Sequence, residues 1–194
     1  MALTKLNFSG SGLSSFPSGS VIQTVSTNLT STTDSTAFDA NFENISGLTV
    51  NITPSSTSNK VYVIATLQVS VSGVHVTLRI ARGGSAIVSP DSPGNRMAGM
   101  AHIYGSSSFN DHYDIESKVM QVLDSPSSTS QLTYSVQGRN VNNPNLTNLK
   151  INRTNEDSNA GYNSRVISTN HSYGNQRLVW GVILDYCLLY TSDA

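Results

Sequence analysis

The sequence predicts an all-β protein, an antiparallel β-sandwich, and three observations carry that expectation. From Leu48 to Ile80 apolar residues occupy every second position: Leu48, Val50 and Ile52, then Val61, Val63, Ala65, Leu67, Val69 and Val71, then Val74, Val76, Leu78 and Ile80. Only a β-strand has that period of two. The punctuation Pro54-Ser55-Ser56-Thr57-Ser58-Asn59 nearly repeats at Asp124-Ser125-Pro126-Ser127-Ser128-Thr129-Ser130, again ahead of an alternating run, Leu132, Tyr134 and Val136. No window has the 3.6-residue apolar spacing of an amphipathic helix. The expected architecture is a sandwich built from hairpins.

Taken in order, residues 1–20 form a Ser/Gly-rich leader, expected to be a flexible or extended arm. Strands are expected at Val21–Leu29, Ala37–Phe42, Leu48–Thr53 and Val61–Val71. Ser72-Gly73 then turns the chain into Val74–Ala81, which reads as a tight hairpin pair. Arg82-Gly83-Gly84-Ser85 supplies another turn before Ala86–Ser89, and Pro90–Asn95 is a Pro/Gly/Asp loop. Later strands fall at Met97–Tyr104, His112–Leu123, Gln131–Gln137, Leu146–Arg153 and Gln176–Asp185. In the last, Leu178, Trp180, Val182 and Leu184 share one face and Val179, Gly181 and Ile183 the other. A strand apolar on both faces is central between layers or lies against a neighbouring subunit. About 8–10 strands of this kind fit a jelly roll or a related sandwich.

The domain is expected to span residues 21–186. The closing Cys187-Leu188-Leu189-Tyr190-Thr191-Ser192-Asp193-Ala194 reads as the in-frame translation of a sequencing adapter, so no role is assigned to Cys187, the single cysteine. Charged residues make up 12% of the chain, about half of the roughly 25% usual in soluble domains. Polarity comes instead from neutral groups, since 69 of 194 residues are Ser, Thr or Asn. A net charge of −1 gives no electrostatic footprint for nucleic acid, and no run of about 18 apolar residues provides for membrane insertion.

Signatures of the common enzyme classes are missing: there is no P-loop, G-x-G-x-x-G, G-x-S-x-G, H-E-x-x-H or Cys-x-x-Cys. No cofactor and no catalytic residue is expected. One cluster has metal-site chemistry, Asp111-His112-Tyr113-Asp114-Ile115-Glu116 with His102 on the preceding strand. On a strand His112, Asp114 and Glu116 share a face, so an imidazole and two carboxylates could converge on a divalent ion with His102 opposite, as in a cupin-like metal protein. The same residues also read as a solvated edge, because metal sites demand a tighter ligand set. Asn-x-Ser/Thr sequons occur at seven asparagines, against about five expected from composition alone.

Several segments carry a family resemblance. They are Gly19-Ser20-Val21-Ile22-Gln23-Thr24-Val25, the stretch Ile52 to Val61, Arg82-Gly83-Gly84-Ser85-Ala86-Ile87 and Leu123-Asp124-Ser125-Pro126. Ile151-Asn152-Arg153-Thr154, with Asp157, Tyr162, Arg165 and Ser168-Thr169, continues the pattern. Over residues 19–185 the chain resembles virion proteins of marine tailed bacteriophages, of the kind labelled tail fibre or structural protein. The resemblance implies a jelly-roll head like those of the tumour-necrosis-factor and complement-globular proteins, assembly as a homotrimer, and attachment to other virion proteins. It places the protein in the virion after synthesis in a bacterial cytoplasm.

The functional expectation is therefore a non-enzymatic fibre or appendage head whose loops meet a bacterial surface glycan or receptor. The alternatives are a capsid decoration or baseplate protein and the cupin-like metal protein. Aromatic faces and amides match sugar faces and hydroxyls, which selects Tyr104, Tyr113, Tyr162, Tyr173, Asn143 and Asn145 as binding residues. Arg153, Asp157 and Arg165 are expected to form ion pairs that fix the polar loop Asn155–Asn163.

Overall fold

Alternation along the chain becomes two packed antiparallel sheets. The computed structural model describes residues 23–34, 41–91, 94–105, 113–140, 149–161, 163–166, 169–171, 177–179 and 183–184. The expected arm at 1–20, Trp180 and the segment 187–194 lie outside the described residues. Thirteen strands are assigned there: β1 (Val25–Ser26), β2 (Thr33–Asp34), β3 (Glu43–Ile52), β4 (Val61–Ser70), β5 (Val74–Arg82), β6 (Ser85–Ala86), β7 (Ala101–Gly105), β8 (Glu116–Asp124), β9 (Leu132–Asn140), β10 (Lys150–Ile151), β11 (Thr169–His171), β12 (Arg177–Val179) and β13 (Ile183–Leu184).

One sheet runs β2-β10-β4-β8. The second runs β3-β9-β5-β6, with β7 also paired to β5. Two short pairs, β1-β13 and β11-β12, complete the set. Every apolar residue of the Leu48–Ile80 alternation is buried, none more than 5% exposed. These side chains meet Ile45, Ile103, Met120, Val122, Tyr134, Val136 and Ile151 between the sheets. Each buried aliphatic contributes about 1.5–3 kcal/mol. Ile45 is out of phase with Leu48 because a bulge falls between Asn44 and Thr49. Gly47 supplies the left-handed backbone there, at φ 80°.

The expected hairpins are corrected. β3 and β4 belong to different sheets, and so do β4 and β5. The chain crosses the interior edge at 71–73, where Val71 and Ser72 are both buried. Alternation specifies which face of a strand is apolar, and it does so equally for a strand's hairpin partner and for a strand facing it across the core. Among the described strands only β5-β6 and β11-β12 pair as sequence neighbours. Gly105 on β7 fits tightly against this crossing. A Cβ there would stand 2.1 Å from the Val71 carbonyl oxygen and 2.5 Å from its carbon.

A polar clasp ties the two sheets at the opposite end of β5. The Tyr134 hydroxyl of β9 donates to Asp124 Oδ2 of β8 at 2.6 Å, and the Arg82 guanidinium of β5 donates to the same oxygen at 2.5 Å. Burial first, then the Asp124 hydrogen bond and charge, push the Tyr134 hydroxyl far above its ordinary range. Its ring is wholly buried.

Strand ends also differ from expectation for local reasons. β10 stops at Ile151 because Asn152 takes a left-handed conformation, φ 61°, which asparagine tolerates. Its side-chain amide donates to the Leu29 and Ser31 carbonyls. β8 begins at Glu116, so Tyr113 and Asp114 precede the strand. Of the expected strand at 37–42, residues 37–40 lie outside the described residues and Phe42 is not in a strand.

Three substitutions test this packing. Gly105→Ala should destabilise by about 3 kcal/mol, the upper end of the range for overpacking, because the atoms it meets are backbone; urea unfolding reads this directly. Asp124→Ala leaves the Tyr134 hydroxyl and the Arg82 guanidinium without their acceptor. It should lower stability by about 2–3 kcal/mol in the same measurement, with Tyr134→Phe costing about 1–2.

Candidate functional site

The outward positions of β5 and β7 build the candidate site. Because Val74, Val76 and Leu78 face the core, His75, Thr77 and Arg79 lie on the outer side of the sheet, where Thr77 is nonetheless buried. On β7 Ile103 and Gly105 are buried, which turns His102 and Tyr104 outward. The antiparallel register sets His75 opposite Tyr104 and Thr77 opposite His102.

These four side chains interlock. The His75 and Tyr104 rings stack with centroids 4.4 Å apart at 24°. His75 Nδ1 lies 3.3 Å from His102 Nε2, and Thr77 Oγ1 lies 3.1 Å from His102 Nδ1. When His102 is neutral, the proton chain can run from the Thr77 hydroxyl to Nδ1 and from Nε2–H to His75, or in the reverse direction. When His102 is cationic, both of its N–H groups donate, and Thr77 and His75 accept. Two cationic rings would set N–H against N–H, so charge on His75 disfavours the cationic form of His102. Burial first, then the charges of His75 and Lys118, hold the His102 pKa below its ordinary 6.5.

A hollow of about 570 Å³ opens beside this cluster, lined by His75, Thr77, Asn95, Arg96, Met97 and His102 among others. Its wall is the segment leading into β7, which stays on β5 through the hydrogen bond from Met100 N to Leu78 O, 2.8 Å. Gly99 permits that approach, since a Cβ there would stand 2.1 Å from Thr77 Cγ2 and 2.9 Å from the Leu78 oxygen. Aromatic surface, hydroxyl, amide and cationic groups thus converge on an open cleft.

A second hollow, of about 440 Å³, lies in the 154–164 excursion and is lined by Asp157, Ser158, Asn159, Asn163 and Arg165. Its neck is closed by the backbone bonds Thr154 N to Ser164 O and Val166 N to Asn152 O. The expected ion pairing of this loop is present for Arg165, which binds Asp157 through two hydrogen bonds of 2.9 and 2.7 Å. Arg153 pairs instead with Asp34 and donates to the Thr154 and Asn155 carbonyls. Burial alone would raise the Asp34 carboxyl, but Arg153 and Lys150 outweigh it and hold the group below its ordinary value.

Of the residues expected from sequence, Tyr104 joins the site and is 56% exposed. Tyr113 is half-buried outside it. Tyr162, Tyr173, Asn143, Asn145 and His112 lie outside the described residues. Asp114 and Glu116 do not meet His102; they line a separate hollow of about 100 Å³ with Tyr104 and Ser70, and Glu116 pairs with Lys118. Among the described residues no three His, Cys, Asp or Glu side chains gather as a metal site would require. His75, Thr77, Asn95 and Arg96 were not anticipated. The signal for the first two was the polar half of the β5 alternation, His75-x-Thr77-x-Arg79.

Comparison with protein-family models, with curated proteins and with solved structures found no match for this chain.

The proton linkage of the cluster is measurable. A depressed native His102 pKa gives stability that is present above the unfolded value near 6.5 and lost as pH falls through the lower native value. NMR titration should place the His102 imidazole midpoint below 6.5. His75→Phe, which keeps a ring on Tyr104 but removes the charge, should move it back up. An unchanged midpoint in that variant would contradict the coupling.

Proposed function

We propose that the protein is a non-enzymatic virion component, a tail-fibre or appendage head that binds saccharide on a bacterial surface. The observation that carries this reading is the cleft lined by His75, Thr77 and His102, with Tyr104 stacked on His75 beside it. Tyr104, exposed and stacked on the half-buried His75, offers an aromatic face to a sugar ring, and the imidazole, amide and guanidinium groups of His102, Asn95 and Arg96 offer hydrogen bonds to its hydroxyls. The cleft lies on the face of a sheet held rigid by its own core, the arrangement that keeps a binding site pre-organised.

The strand order supports a jelly roll. With β1 and β2 read as one broken edge strand and β10 and β13 as another, the sheets run edge, β10/β13, β4, β8 and β3, β9, β5, β7. Read so, the order favours the fold implied by the resemblance to marine phage virion proteins. In this reading the heads assemble as homotrimers and attach to other virion proteins. The outer face of β8 favours such a contact: Val119 is 60% and Leu123 47% exposed, beside Tyr62 and Ile64 of β4.

The test is retention of the purified chain on an array of bacterial surface saccharides, with light scattering to count subunits. The reading expects a particle three times the 20.7 kDa chain, saccharide binding, and about tenfold weaker binding for Tyr104→Ala. A trimer that binds no bacterial saccharide would overturn the receptor-binding role and leave the decoration or baseplate reading in its place.

A further inference from the structure

The face around the cleft carries a charge that the near-neutral composition conceals. The chain has only 11 Lys and Arg residues. Arg82, Lys118, Lys150, Arg153 and Arg165 each meet a carboxylate. Arg79 is engaged by neutral groups, the Gln137 side-chain oxygen at 2.8 Å and the Phe42 ring at 3.9 Å. Arg139 Nε is buried without a hydrogen-bond partner.

Register gathers these groups on one face. Arg139 of β9 stands opposite Thr77, and Thr77 opposite His102, so the three form a row across three strands. One step along, His75 stands opposite Tyr104; one step back, Arg79 stands opposite Gln137. Strands are about 4.8 Å apart and same-face residues about 7 Å, so His75, His102, Arg79 and Arg139 fall within a patch of about 10 by 14 Å. Among the described residues no Asp or Glu lines the hollow at its edge. Like charges on adjacent strands repel. Arg79 is held below its ordinary pKa by burial and then by Arg139, and His102 by burial and then by His75 and Lys118. An anion placed among these groups would relieve that repulsion.

We infer that His75, His102 and Arg139 form a seat for the anionic group of an acidic saccharide, a carboxylate or phosphate on a sugar whose ring lies against Tyr104 and the hollow. The inference rests on the saccharide-binding reading and names the class of sugar. A nucleic acid fits less well, because it needs a track of phosphate contacts and this patch offers one short cationic row. The groups facing His102 are His75 and Thr77 from β5, Arg139 beyond Thr77, Tyr104 on its own strand, Lys118 from β8, and Asn95 and Arg96 from the hollow. Asp114 and Glu116 stand past Tyr104, with Glu116 held by Lys118. Seating an anion therefore favours the protonated imidazole, and affinity should rise as pH falls.

The experiment follows the His75 and His102 imidazole signals of the full chain by NMR during titration with glucuronate, glucose 6-phosphate, glucose and single-stranded DNA. Glucuronate or glucose 6-phosphate should shift both signals, and which of the two binds more tightly identifies a carboxylated or phosphorylated source. The tighter of the two should exceed glucose about tenfold, and Arg139→Gln should remove about the same factor. Binding should weaken several-fold between about pH 5.5 and about pH 8, a dependence lost in His102→Gln. Thermal unfolding of each variant establishes that it is folded, and His75→Phe serves as a second variant that preserves the stack. Glucose binding as tightly as the acids would overturn the anion seat while leaving saccharide binding intact. No shift with any sugar would overturn both readings, and tighter binding of single-stranded DNA than of either acid would overturn the saccharide assignment.

Discussion

The structure depends on one constraint: β4 and β5 bury alternate residues against each other from opposite sheets, although they are consecutive in the chain. Val61, Val63, Ala65, Leu67 and Val69 face inward from one layer, and Val74, Val76, Leu78 and Ile80 from the other. Val71 and Ser72 of the connection are buried and pressed against Gly105. Fixing that crossing fixes the direction of every polar residue between the apolar ones. His75, Thr77 and Arg79 are thereby outward, and β7, paired to the same strand, places His102 and Tyr104 beside them. The candidate site is the solvent side of the pattern that makes the core.

Charge is used sparingly and in two ways. At Asp124 a carboxylate joins β8 to β5 and β9, and at Asp34 another joins β2 to Arg153 and Lys150. These pairs are structural, and partial burial gives them more weight than exposed pairs have. Among the described residues Arg79 meets neutral groups and Arg139 Nε has no hydrogen-bond partner, and both arginines lie in one register with two histidines. The difference separates ion pairs that hold the fold from charges left available to a ligand.

The sequence made the core and its faces legible: the thirteen apolar positions of the Leu48–Ile80 run are all buried. Which strand pairs with which was not legible, because a period of two defines faces and not neighbours. Ser72-Gly73 reads as a hairpin turn and serves as a crossing between sheets. The short strand β2 escaped because two residues hold no period, whereas β10 falls inside the strand expected at Leu146–Arg153 and is ended early by the left-handed Asn152. Within the site, Tyr104 and His102 were noticed for their chemistry, but His102 was grouped with its sequence neighbours Asp114 and Glu116 instead of its cross-strand neighbours. His75, Thr77 and Arg139 passed as the polar spacers of amphipathic strands. A total charge near zero hid their convergence, which only register reveals.

The central claim is that the outer face of β5, β7 and β9 is the binding face. Hydrogen–deuterium exchange of the full chain, with and without a uronic-acid oligosaccharide, tests it most directly. The account predicts slowed exchange in β5, in 95–105 and at the Arg139 end of β9, with the 154–164 excursion and β8 unchanged. Protection confined to that excursion, or to β4 and β8, would contradict it.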